Sequence, residues 1–398
     1  MKAAVEFPAR EAPCQPCLLD AVAGFAQIAA EWQALSLAVA RPSCFAAPSY
    51  FQAWRDTLSD DVVPLLMTVR RAGRLVGVMP LMRARVRRGP LCAPRHDFAP
   101  SDRALLGLGN SRPLGVRQLS PIVSMPAAWV APAPLSTDMD RVSVIRAMAG
   151  HIATLAGWDS FALPVDASAD QDVWLAALNE EGLRPWVHRL DRQIGAIGVI
   201  EPFDAKVARQ NKKFRQNIRR AQATAERAGV EVVVFEGRLA VAAQMPALAA
   251  VAQGSWKQMD RAKTDLTVPY AGRQQQFFEH LLCDAAMDCN AMPVLAVAIC
   301  GGQPVAALLS LVHGDWLTAL VIFRNDQVPA ASPGMLVLAR MIDWTHEKGL
   351  AGFDLNATHE WTRHLVDEVR SQNIIVSFAP TLRGRGLGLI SAAARRMR

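Results

Sequence analysis

Apolar residues run almost unbroken along two stretches of this chain, each interrupted by a polar, glycine-centred turn, and the second repeats the first in outline. Pro64, Leu66, Gly73 and Val76 in one stretch match Pro293, Leu295, Gly302 and Val305 in the other at one constant offset. Each copy predicts an apolar strand, a Gly-centred turn and a second apolar strand. A helix-period segment precedes each hairpin, from Tyr50 to Leu58 and from Gln276 to Leu282. Downstream, a long helical stretch ends at Gly157 in one half and at Gly349 in the other. A short strand follows each, with Phe161 and Leu163 in register with Phe353 and Leu355. The pattern then predicts a closing helix and strand in each copy, 170–181 with 183–190 and 360–368 with 373–378. Val76 and Gly157 are 81 positions apart and Val305 and Gly349 are 44 apart, so the first copy carries an insertion of 37 residues, placed between Arg83 and Asp138.

A chain of 398 residues, 51% hydrophobic, can bury two ordinary cores, and the repeat places their junction near residue 200. No apolar run reaches the roughly 18 residues of a membrane span, and the first residues lack a signal-peptide core, which reads as cytoplasmic. The seven cysteines are scattered and odd in number, the composition of reduced thiols rather than of a disulfide framework. Cys14 and Cys17 form a single CxxC without a second pair or a nearby His pair, so they read as incidental thiols.

Charge adds a direction. The net charge of +7 favours anionic partners, and much of the excess is local. Lys206, Arg209, Lys212, Lys213, Arg215, Arg219 and Arg220 occur with no acidic residue among them. On one helix Val207, Phe214, Ile218, Ala221 and Ala225 form an apolar stripe and the cations fill the remaining circumference. That is a solvated amphipathic helix or a phosphate-contacting surface. His313 precedes Gly314 and reads as a turn residue. No Ser-His-Asp order, HExxH or paired CxxC indicates a hydrolase or a metal site.

The order of elements, together with short motifs in sequence, resembles a tandem pair of GNAT-type acyltransferase folds. The motifs are Phe45 to Trp54, Gly77 to Leu81 and Asp97 to Pro100 in the first half. In the second they are Lys213 to Arg220, Ser255 to Lys257, Ser332 to Gly334 and Phe353 to Leu355. Two such copies in one chain are similar to the Fem-type aminoacyl transferases and, more closely, to the acetyltransferase-like domain of the cellulose-biosynthesis CelD family. One departure stands out: Thr362 and Arg363 occupy the places where such proteins carry a Tyr-Lys pair.

The resemblance implies an α/β (α+β) fold of two tandem GNAT-like domains, each a mixed central sheet flanked by helices. Residues 18–198 would shape an acceptor groove without being active, and residues 199–380 would bind the acyl donor and perform catalysis, with 1–17 and 381–398 as loose tails. It implies transfer from acyl-CoA or an acidic acyl carrier protein to an amine of a small metabolite or sugar precursor, with no tightly bound cofactor. The alternatives are Fem-type aminoacyl transfer from tRNA, or a non-catalytic accessory of exopolysaccharide synthesis. In such folds two parallel strands splay apart and a helix N-terminus takes the donor's phosphates. Here that implies Phe323 and Arg324 at the strand end and Ser332, Pro333, Gly334 and Met335 at the helix start. Arg383 to Gly388 also fits an Arg-x-x-Gly-x-Gly donor pattern, but too few residues follow it, so it reads as an exposed basic tail. Asp354 is the implied acid-base group, with His359 and Glu360 beside it at the start of a helix. Asp354 paired to an arginine, and His359 and Glu360 as solvated first-turn residues, are the plainer readings. The acceptor side would draw on His96, Asp97, Trp256, Lys257 and Arg363.

Overall fold

The computed structural model describes residues 12–57, 62–86, 116–121, 123–124, 129–130, 134–255, 272–283, 291–325 and 331–396. The first half runs β1 (Cys14–Asp20), α1 (Ala23–Ala38), α2 (Pro48–Arg55), β2 (Val62–Arg71), β3 (Arg74–Val86), β4 (Val116–Pro121), the short pair β5 (Val123–Ser124) and β6 (Trp129–Val130), α3 (Asp138–Thr154), β7 (Ser160–Asp166), α4 (Ala169–Glu180) and β8 (Trp186–Ile197). Two linking helices follow, α5 (Phe203–Ala208) and α6 (Lys212–Arg227). The second half runs β9 (Val230–Glu236), α7 (Arg238–Gln253), α8 (Gly272–Cys283), β10 (Ala291–Cys300), β11 (Gln303–His313), β12 (Trp316–Arg324), α9 (Pro333–Glu347), β13 (Gly352–Asp354), β14 (Glu368–Phe378) and α10 (Leu382–Arg396).

The repeated hairpins are β2–β3 and β10–β11, and they agree in fine geometry. Val69 pairs with Gly77 and Arg70 with Leu75, which leaves Val76 as an extra residue; Ala298 pairs with Ala306 and Ile299 with Pro304, which leaves Val305. Both copies therefore carry a bulge at the equivalent valine, a device that bends and twists a strand pair.

Twelve strands form one sheet in the order β1-β2-β3-β4-β7-β14-β8-β13-β12-β11-β10-β9. Read from either edge, the order is the same up to the centre, where the closing strand of each half is exchanged. β14 pairs with β7 of the first half and β8 pairs with β13 of the second, while β14 and β8 pair antiparallel with each other. Two layers take their helices from one half each: α3 and α4 cover Met67, Leu81, Phe161 and Leu163 together with Ile375 of the exchanged β14, and α5, α6 and α9 cover Val294, Leu317 and Phe353 together with Ile197 of the exchanged β8. A third layer is shared. Trp32 and Trp54 from α1 and α2 join Phe277 and Phe278 of α8 in one core, with Tyr50 and Phe277 rings 5.4 Å apart.

Four sequence expectations change. Residues 360–368 are not a helix: they form turns and the first residue of β14, because the backbone is tied down by Leu355 N–H to Gly195 O at 2.9 Å and Thr358 N–H to Gln193 O at 2.9 Å. The segments 14–17 and 382–396 are not loose, being part of β1, which pairs with β2, and helix α10. The basic stretch from Lys206 to Arg220 is two helices, interrupted at Asn211, whose Oδ1 accepts the Phe214 N–H at 2.9 Å and caps α6. His313 is fully buried, with Nε2 3.1 Å from Ser36 Oγ across the two halves. Cys14, Cys17, Cys44 and Cys300 are free thiols.

Candidate functional site

Parallel strands β12 and β13 pair only at Trp316/Gly352, Leu317/Phe353 and Thr318/Asp354, and beyond Thr318 they part. The departure coincides with a second irregularity. Ser310 pairs with Ala319 and Leu309 with Val321, so Leu320 is a bulged extra residue at the start of the gap. A bulge re-aims the backbone locally, and here it does so where the parallel pairing stops.

Helix α9 begins at the same end of the gap. Ser332 at its N-cap has a left-handed backbone, φ +47°, and makes no side-chain cap. Pro333 at the first position has no N–H to satisfy. The first turn holds no acidic residue, so the positive end of the helix dipole is uncompensated. A Cβ on Gly334 would lie 3.7 Å from Arg324 Cδ, which sets the exposed Arg324 side chain beside the helix start. Ser332, Pro333, Gly334, Met335 and Arg324 are thus brought together. The Phe323 side chain is not with them, since it is buried in the opposite core with Leu320 and Val321, and only its backbone borders the gap.

The equivalent helix of the first half, α3, differs in charge. It follows β4 as α9 follows β12, and β4 likewise pairs with its parallel neighbour β7 at only two positions, Gln118/Ser160 and Leu119/Phe161. Its first turn carries Asp138 and Asp140, and Asp140 is held by Arg71 at 2.7 Å. Two carboxylates at a helix start occupy the place that a phosphate would need.

Asp354, at the end of β13, opens onto a cleft of about 380 Å³ between the halves. Its Oδ1 accepts the Asn356 N–H at 2.7 Å, and its Oδ2 accepts Arg370 Nη2 at 2.8 Å. Arg370, on the exchanged strand β14, also binds Asp166 at 2.5 Å, and so links the carboxyl ends of β7 and β13. Burial pushes the Asp354 carboxyl above the usual carboxylate range, opposed by the Arg370 charge and the Asn356 amide. Gln372, buried in the cleft wall, leaves its Oε1 without a hydrogen-bond partner among the described residues. Cys44, nearby, is a poor nucleophile because burial pushes its thiol well above the usual range.

His359 and Glu360 are exposed on the turn beyond Asp354. Their segment is closed by Thr362, whose Oγ1 accepts the His359 N–H at 2.9 Å, and Arg363 reaches Gln193 Oε1 at 2.5 Å. His364 stacks on Phe214, ring centroids 4.7 Å apart, which anchors this turn to α6. His96, Asp97, Trp256 and Lys257 lie outside the described residues. Arg370, Asp166 and Gln372 escape the sequence reading. The one signal for Arg370 and Gln372 is the alternation of β14, which starts at Glu368 and is polar on one face through Gln372, while Asp166 lies at the end of β7.

Two exchanged half-repeats, each with a splayed parallel pair and a helix at the mouth of the gap, define a tandem GNAT-type acyltransferase fold. Residues 212–363 match the acetyltransferase (GNAT) domain family. No curated protein sequence matches the chain. Among solved structures, FemX aligns over 87% of this chain and 95% of its own at 11% identity, with a TM-score of 0.53. The C-terminal domain of a candidate lysylphosphatidylglycerol synthetase from Agrobacterium fabrum aligns over 93% and 96% at 11% identity and the same TM-score, 0.53. A conserved protein of unknown function from Bacteroides thetaiotaomicron aligns over 88% and 97% at 9% identity, with a TM-score of 0.50. These likenesses are in fold. Among the described residues no helix is long and apolar enough to cross a membrane, and no group of His, Cys, Asp and Glu is arranged to hold a metal ion.

Proposed function

We propose that the protein is an N-acyltransferase whose second half takes a phosphopantetheine thioester, as acyl-CoA or on an acidic acyl carrier protein, and passes the acyl group to an amine of a small metabolite or sugar precursor. The observation that carries this reading is the conjunction of the β12/β13 gap, the Leu320 bulge and an acid-free helix start at Ser332 to Met335. The first half has the same gap with Asp138 and Asp140 at its mouth, which supports reading it as the half that shapes the acceptor side. Asp354 is the group we assign to receive the amine proton. Its raised carboxyl is suited to a base, and each of its oxygens retains a second lone pair beyond the bonds it already makes.

Calorimetric titration with acyl-CoAs tests the donor site. G334D places a carboxylate where phosphate belongs, at a position where the nearest atom to a new Cβ is 3.7 Å away, so the added carbon meets no clash, and its melting temperature is recorded alongside. The variant is expected to lose donor affinity by about tenfold or more, while D354N keeps donor affinity and loses about two orders of magnitude in turnover. Undiminished donor affinity in G334D overturns the donor site, and undiminished turnover in D354N overturns the base.

Aminoacyl transfer from tRNA is favoured by a different observation. Lys212, Lys213, Arg219 and Arg220 on α6 are exposed and make no ion pair among the described residues. Tight binding of tRNA that weakens steeply with salt, with no response to acyl-CoA, supports that reading. A non-catalytic accessory role in exopolysaccharide synthesis draws on the engagement of both Asp354 oxygens, and it predicts no response to either ligand.

A further inference from the structure

Helix α10 is turned inside out relative to an ordinary surface helix. Its inward face is made of small residues. A Cβ at Gly384 would stand 2.2 Å from the Ala379 carbonyl oxygen, and one at Gly388 would stand 3.2 Å from the Phe378 ring, so these glycines let the helix lie against the end of β14. Leu387 and Ser391 complete the buried side. The large apolar side chains point the other way: Leu382 is 90% exposed, Leu389 74% and Ile390 62%. With helical spacing these three fall on one stripe together with Gly386 and Ala393. Arg383 borders the stripe on one side, with its Nε 3.5 Å from the buried Asp159 carboxylate, and Arg385 borders it on the other and makes no ion pair among the described residues. From Leu382 to Arg398 the sequence holds five arginines and no acidic residue.

We propose that α10 is an interfacial helix that docks the protein onto an anionic phospholipid surface, with Leu382, Leu389 and Ile390 entering the acyl boundary and Arg385 meeting headgroup phosphates. An apolar stripe flanked by cations on both sides matches a surface that is apolar within and negatively charged at its rim. A second copy of this chain is a poorer match, because stripe against stripe brings the two sets of arginines together. The helix spans 15 residues, too short to cross a bilayer and sufficient to lie in its plane. The proposal is independent of the acyl-transfer reading, since α10 lies outside the donor gap and the cleft.

The test is sedimentation of the full-length protein with vesicles of mixed phosphatidylglycerol and phosphatidylcholine, against vesicles of phosphatidylcholine alone. Binding to the anionic vesicles is expected, weakening as sodium chloride rises. The triple variant L382S/L389S/I390S, altered only at exposed positions, is expected to melt at the wild-type temperature and to partition at least about tenfold more weakly. R385E is expected to weaken binding without affecting melting. Absence of binding to anionic vesicles, or unchanged binding by the triple variant, overturns the proposal. Equal binding to the neutral vesicles overturns its electrostatic half. A wild-type dimer in light scattering that becomes monomeric in the triple variant also overturns it, by assigning the stripe to a second copy.

Discussion

His313 is the buried residue whose protonation state most directly bears on how the halves hold together. It closes β11, its Nε2 lies 3.1 Å from Ser36 Oγ on α1, and its Nδ1 has no hydrogen-bond partner among the described residues. Burial pulls its pKa down from 6.5 to about 4. A folded-state pKa below the unfolded one means that the unfolded chain binds the proton first. The stability contributed by the neutral ring is complete above pH 6.5, declines as pH falls toward 4 and is gone below that. The window corresponds to on the order of 3 kcal/mol. Melting temperatures recorded from pH 7 to pH 4.5 should fall more steeply for the wild type than for H313Q, whose amide can still bond Ser36 but does not titrate. Parallel curves would show that the proton goes elsewhere. The sequence conceals this role: His-Gly-Asp has the composition of a turn, and nothing local announces that Ser36, 277 positions away, will cover it.

Among the elements, β13 is the shortest strand at the site, and its place depends on one glycine. A Cβ on Gly352 would come within 2.3 Å of the Trp316 ring, and that ring is held on its other side by the Arg41 guanidinium 4.3 Å from the ring centroid. G352A should therefore push the indole or the strand aside and destabilise the protein by about 1–3 kcal/mol, measurable by urea unfolding. An undisturbed midpoint would mean that the indole moves freely. Element by element, legibility followed locality. The two hairpins and the helices ending at Gly157 and Gly349 are written in apolar runs, helical periodicity and glycine turns within a few residues, which makes them legible. The segment after Asp354 was misread as a helix because Thr358, His359 and Glu360 look like a cap and first turn. Its conformation is set instead by hydrogen bonds to Gln193 and Gly195, which belong to the other half. Helix α10 was misread in the opposite sense. Three glycines in five residues argue against a helix on propensity, yet two of those glycines face β14, where only a small residue fits.

At the scale of the whole molecule, the exchange of β8 and β14 makes each half incomplete. A cut at residue 198 leaves the first fragment without the neighbour of β7, and the second with β14 stripped of both its partners. Each fragment expressed alone should be insoluble or lack dispersed amide resonances, whereas co-expression should yield a complex that co-purifies. A first fragment that is monomeric and folded by itself would refute this. The repeat was visible in the sequence and the exchange was not. Either closing strand satisfies the same period-2 pattern beside either neighbour, so only long-range pairing decides between them. The site was legible to the same degree: the helix start at Ser332 is a local signal, while the Arg370 bridge between Asp166 and Asp354 spans three strands brought together by the exchange.

The exchange also sets the order in which the molecule can be finished during synthesis. β7 leaves the ribosome with one edge open, and the strand that must fill it is made about 200 residues later. At roughly 5–20 residues per second that edge waits for about 10–40 seconds. The middle of the sheet is therefore the last part to close, and an open strand edge is a template for whatever strand arrives first. On a crowded polysome the competitor of the right pattern is β14 of the chain ahead, so the product of slow translation would be a pair of molecules laced through each other's centres.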